Sequence, residues 1–181
     1  MRRELLLGLA FTGGAFAQLG GHAGHGGVPA APTGSVAHLK TLQGRAFDVA
    51  WTGAMIIHHQ MAVDMAKAEL TGGRDARVKA AAREVISAQR REIALMNSWQ
   101  KSWSAANSPA GAMSMAGPKP GQSWDRWFLT GMIPHHQGAV EMAKLVPART
   151  QNAAVRGLAR EIIRSQTAEI NGYRAFLKVV K

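Results

Sequence analysis

Met55-Ile56-Ile57-His58-His59-Gln60-Met61-Ala62-Val63-Asp64-Met65-Ala66-Lys67 is followed 77 residues later by Met132-Ile133-Pro134-His135-His136-Gln137-Gly138-Ala139-Val140-Glu141-Met142-Ala143-Lys144. The match extends outward without a gap. Laying 47–100 over 124–177 leaves about 20 of the 54 positions identical, which marks an internal duplication. Arg83-Glu84, Gln89 and Glu92-Ile93 in the first copy lie over Arg160-Glu161, Gln166 and Glu169-Ile170 in the second.

Each copy holds two long stretches with apolar residues at 3.6-residue spacing and little internal Gly or Pro, the pattern of a helical hairpin. The spacing predicts helices over 45–71, 76–103, 124–146 and 152–179. Asp75 and Asn152 occupy equivalent positions and are good N-caps, since their side-chain oxygens can accept from first-turn amides. Gly72-Gly73 and Pro147 are expected to end the preceding helices, and Pro134 is expected to bend the third helix beside its histidines. A hairpin cannot bury its apolar stripe alone, so the expected fold is all-α, a four-helix bundle made of the two duplicated hairpins at 45–103 and 123–181. The Ser-, Gly-, Ala- and Pro-rich stretch 104–122 reads as the linker between them.

At about 100° per residue, Met55, His58, His59, Ala62 and Met65 share one arc of about 120°. Met132, His135, His136, Ala139 and Met142 do the same. Adjacent histidines point about 100° apart, so Met55 with His58 or His59 is a better pair for one ion than the two histidines together. Neutral thioether sulfur combined with imidazole suits Cu(I), or Ag(I) as its mimic, better than Mg, Ca or Mn. Met96 could add a thioether from the second helix, whereas its counterpart Tyr173 cannot. Gln89, Glu92, Gln166 and Glu169 are candidates for fixing the histidine tautomers. A Met stripe also suits core packing, but four inward histidines carry a desolvation cost unless each finds a partner.

The 181 residues include 22 Lys plus Arg, 11 Asp plus Glu, seven His, nine Met and no Cys. Without cysteine there are no disulfides, thiolate zinc sites, cysteine-held iron–sulfur clusters or thiol nucleophiles. The formal charge of +11 invites comparison with nucleic-acid binders. However, the basic residues alternate with Ala, Glu and Gln, as at Arg156, Arg160 and Arg164, and read as solvated helix faces; no nucleic-acid partner is expected. Arg2-Arg3, an apolar stretch from Leu5 to Phe16 and the small residues of Ala15-Phe16-Ala17 read as a signal peptide over 1–17. Export to the periplasm or cell envelope follows, with no stable membrane insertion after cleavage. Residues 18–44 are expected to be a flexible Gly/Pro/His-containing segment, in which His22 and His25 form at best a weak metal site. Met113 and Met115 in the linker form a Met-x-Met pair that could clamp a soft ion.

The repeated Met-Ile-x-His-His-Gln-x-Ala-Val-x-Met-Ala pattern, followed by Gln-x-x-Glu-Ile, resembles the domain-of-unknown-function 305 family, which includes CopM-like exported copper-binding proteins. The resemblance covers about 45–180. It implies a ferritin-like version of the four-helix bundle and, for some members, copper or silver binding through Met and His. Carried over residue by residue, it falls on Met55, His58, His59 and Met65, and on Met132, His135, His136 and Met142. Pro134, Gly138 and Tyr173 break the equivalence of the halves.

The expected function is therefore sequestration or delivery of Cu(I), with Ag(I) as an alternative ion and a copper-transfer protein as a partner, and no catalysis. A di-iron oxidase would need a Glu-x-x-His spacing, absent from 45–181. A haem protein would have to bind its cofactor non-covalently. A metal-free structural or interaction bundle is the remaining alternative.

Overall fold

The computed structural model describes residues 33–105 and 116–180. The expected signal peptide, His22, His25, Met113 and Met115 lie outside the described residues. Those described are helical, with five helices and no strand: α1 Thr33–Leu39, α2 Gly44–Gly72, α3 Ala76–Ser102, α4 Trp124–Arg149 and α5 Ala153–Phe176. No described helix is long and apolar enough to cross a membrane.

α1 corrects the expectation that all of 18–44 is without fixed structure. Leu39 is fully buried against the main core, and Val36 and Leu42 pack partly against the same cluster. The i, i+3, i+6 spacing of these three residues supplies an apolar stripe that the neighbouring Gly and Pro obscured. Pro147 likewise does not end its helix. α4 continues to Arg149, and the stop is made by Thr150, whose N–H donates to the Val146 carbonyl. A proline in the last turn forfeits one backbone bond; the complete burial of Val146 beside it favours keeping the turn. α4 also runs unbroken through Pro134. The N-caps at Asp75 and Asn152 form as expected, Asp75 accepting from Arg77 N and Asn152 from Ala154 N and Val155 N.

α2 packs along α3, α4 along α5, and α2 along α4. All three pairings are antiparallel. Gln100 at the end of α3 donates to the Val49 carbonyl and Thr52 Oγ1 near the start of α2, and Trp51 Nε1 donates 3.1 Å to the Met142 carbonyl of α4. Between α2 and α4 the repeat-equivalent residues His58 and His135 meet each other, so the approximate two-fold axis relating the copies passes between them.

The same pseudo-symmetry appears in a pair of aspartates that helix periodicity alone did not single out. Asp125 of α4 accepts from the backbone N–H groups of Arg74 and Asp75, in the turn of the other hairpin, at 2.8–3.1 Å. Its counterpart Asp48 of α2 accepts from Asn152 Nδ2 in the opposite turn at 3.1 Å. Each copy thus uses an early carboxylate to hold the other copy's turn, Asp125 through backbone N–H groups at a helix start that would otherwise lack partners and Asp48 through the cap residue's side-chain amide. At the first turn the symmetry ends. Glu69, whose counterpart is Val146, is sealed from solvent with no hydrogen-bond acceptor role filled. Burial first, and then the adjacent Asp125 charge, push its carboxyl from 4.5 up to about 8. The Gly73 backbone passes against that carboxyl, leaving no room for a Cβ.

Candidate metal centre

His58 and His135 form the middle of the candidate site. Each is 2% exposed, and their rings stand 3.8 Å apart between centroids, tilted by 41°. All four of their ring nitrogens are buried without a hydrogen-bond partner. Burial holds the His58 pKa well below 6.5, with His135 as the next cause, and lowers that of His135 to about 3, with His136 next. Both rings are therefore neutral at physiological pH and present unprotonated nitrogen. Orphaned imidazole nitrogens cost free energy in an apolar interior, and neutral imidazole is a common metal ligand.

The flanking histidines are placed differently. His59 and His136 are fully buried and turn toward the outer helices, where His59 Nε2 lies 2.5 Å from Glu92 Oε2 and His136 Nε2 lies 2.7 Å from Glu169 Oε2. The first contact is a hydrogen bond; the second has ion-pair distance without hydrogen-bond alignment. The expected orienting role thus has a geometric basis at Glu92 and Glu169. Gln89 and Gln166 are buried, each with its side-chain oxygen unpartnered.

The methionines are sorted across the repeats. Met55 and Met142 are buried in one cluster together with Met96 and Trp51. Met65 and Met132 lie in another with Phe128 and Tyr173. Met55 and Met65, expected to serve one half, are therefore separated, as are Met132 and Met142. The antiparallel α2–α4 pairing explains this. Residues before His58 on α2 meet residues after His135 on α4, so each sulfur cluster draws on both copies.

Among the described residues, no group of three or more His, Asp or Glu side chains gathers as a metal-holding cluster. An ion held here would need thioether sulfur beside imidazole. The donors present fit a soft monovalent ion: thioethers are neutral, the central imidazoles are unprotonated, and the surroundings are apolar enough to disfavour a strongly hydrated cation.

The family model described as "Domain of unknown function (DUF305)" matches residues 16–100, 48–124 and 105–177. Among solved structures, CopM in its Cu(I)-bound form is 37% identical, with a TM-score of 0.66 over 72% of this chain and 95% of that one. CopM in the Cu(II)-bound form is 35% identical, with a TM-score of 0.65 over 74% and 98%. A DUF305 fragment from Deinococcus radiodurans is 26% identical, with a TM-score of 0.64 over 75% and 98%. A candidate secreted protein DUF305 from Streptomyces coelicolor is 25% identical, with a TM-score of 0.62 over 72% and 92%. The uncharacterized protein L153 of Acanthamoeba polyphaga mimivirus is 43% identical over 53 residues, a match spanning 29% of this chain and 35% of that protein. Duplicated His-His motif, helical architecture and family match agree: the chain belongs to the DUF305 family and is similar to CopM.

Proposed function

We propose that this chain is an exported protein that binds Cu(I), with Ag(I) as its mimic, through Met and His, for copper sequestration, tolerance or delivery. In this reading α2 to α5 form a ferritin-like four-helix bundle whose interior holds the ion. The chain is not an enzyme: it carries cargo and passes it to a copper-transfer partner. The observation that carries the reading is the buried His58–His135 pair, whose four unpartnered nitrogens lie between two thioether clusters. A purely structural bundle has no use for such a pair, because apolar residues of similar volume would pack there without the desolvation cost. A haem sandwiched between these histidines does not suit the geometry, since rings 3.8 Å apart leave no space for a macrocycle.

The supporting comparison is CopM, a similar protein with structures in Cu(I)-, Cu(II)- and Ag-bound forms. The periplasm or cell envelope is the proposed location, on the grounds of the amino-terminal sequence and the candidate secreted DUF305 relative.

The test is a Cu(I) competition titration against a chromophoric chelator, repeated with His58, His59, His135 and His136 changed to alanine. Loss of competition in the variant with helicity retained supports the proposal. Equal, weak competition by both proteins refutes it.

A further inference from the structure

The two sulfur clusters are related by the pseudo-dyad but differ in one of their sulfur positions. On one side Met55, Met96 and Met142 are buried together. On the other, the equivalent positions are Met132, Tyr173 and Met65. Met96 lies one helical turn beyond Glu92 on α3, just as Tyr173 lies one turn beyond Glu169 on α5. The outer helix therefore offers each site the same position, filled once by a thioether and once by a phenol.

We infer that Tyr173 closes the second of two symmetry-related soft-ion positions, confining tight binding to the side built from Met55, Met96 and Met142. This inference rests on the reading proposed above. Tyr173 is 3% exposed. Its ring stands 5.9 Å from that of Phe128 and 5.7 Å from that of His136, so aromatic carbon occupies the space where Met96 brings sulfur on the other side. A neutral phenol oxygen is a hard, weak donor and does not replace a thioether for a soft monovalent cation. Met55 and Met132, like Met65 and Met142, are retained in both copies. Within the two clusters the outer-helix substitution is thus the difference in sulfur donors; Met61, which lies over Gly138, is buried but belongs to neither cluster.

The experiment is a silver nitrate titration of the full chain in chloride-free buffer. Silver retained after gel filtration is measured by atomic absorption, and folding is followed by circular dichroism. Met96→Leu conserves volume and removes only the sulfur; it should retain an equivalent less silver than wild type. Tyr173→Met should retain a further equivalent. Tyr173→Phe, which keeps the ring and loses the hydroxyl, should match wild type, because the ring is what fills the position. Unchanged retention in both Met96→Leu and Tyr173→Met overturns the inference while leaving a silver-binding wild type, and hence the proposed function, intact. A wild type that retains no silver defeats the proposed function itself.

Discussion

Replacing Glu69 by glutamine should abolish a large part of the protein's sensitivity to alkaline pH. In the folded chain the Glu69 carboxyl titrates near 8 instead of 4.5, so the folded state keeps a proton that the unfolded chain releases. A raised carboxyl pKa gives stability that is complete below pH 4.5 and is lost as pH rises toward 8. At about 1.4 kcal/mol per unit, the 3.5-unit difference sets a ceiling of about 5 kcal/mol. Water entry and side-chain relaxation around a charge near the end of the molecule reduce this, and about 2 kcal/mol is a reasonable working figure.

Glutamine conserves the shape and the polarity but cannot ionise. Denaturant unfolding of metal-free wild type and Glu69→Gln at pH 5, 6.5 and 8 gives the difference in stability at each pH, which cancels titrations common to both. The wild type should lose about 2 kcal/mol relative to the variant between pH 5 and 8. A constant difference would falsify the assignment of a buried neutral acid at Glu69, and a wild type that gains on the variant with rising pH would reverse its sign.

The acid side should behave oppositely. His58 and His135 are held below their ordinary pKa, so the unfolded chain takes up protons first and stability is lost as pH falls from 6.5 toward 3. In the Glu69→Gln background, the metal-free protein should lose up to about 3 kcal/mol from His135 alone between pH 6.5 and 4, and His135→Gln should flatten that loss in the same unfolding assay. Asp125→Asn should cost about 1–2 kcal/mol by weakening charge-assisted bonds to the Arg74 and Asp75 amides. It should also lower the Glu69 pKa, measurable by NMR titration of the carboxyl. Gly73→Ala drives a Cβ into the Glu69 carboxyl and should lower denaturant stability by about 1–3 kcal/mol, whereas alanine at the unobstructed Gly157 should not destabilise.

Much of the helical layout was legible because duplication supplies each pattern twice. The N-caps at Asp75 and Asn152, and the inward histidines, follow from local spacing that tertiary packing did not override. The grouping of the methionines was not legible. Helix periodicity places Met55 and Met65 on one face, but only the antiparallel crossing of α2 with α4 sends them to opposite sides of His58. Asp48 and Asp125 were visible as an identity between the copies, yet a conserved-looking carboxylate near a helix start reads equally as a solvated charge until its target turn is known. α1 was missed because three spaced apolar residues next to Gly and Pro make a weak signal, one that becomes a helix through burial of Leu39. Pro147 misled because a proline rule concerns the cost of one bond, and the fold outweighs that cost at a well-packed helix end.

The meeting of His58 with its own counterpart His135 bears on how such a chain could arise. A surface that contacts its symmetry-related copy through the same residue is self-complementary, as in a two-fold dimer. The face that α2 presents to α4 is in large part the face that α4 presents to α2. A free-standing hairpin of this kind would already possess a partner in any second molecule of itself, and joining two of them end to end would convert assembly from a concentration-dependent encounter into an intramolecular one. Once covalently joined, the two copies no longer have to stay alike. A residue such as Tyr173 can then change on one side alone, which an assembly of identical subunits would have forced to change on both.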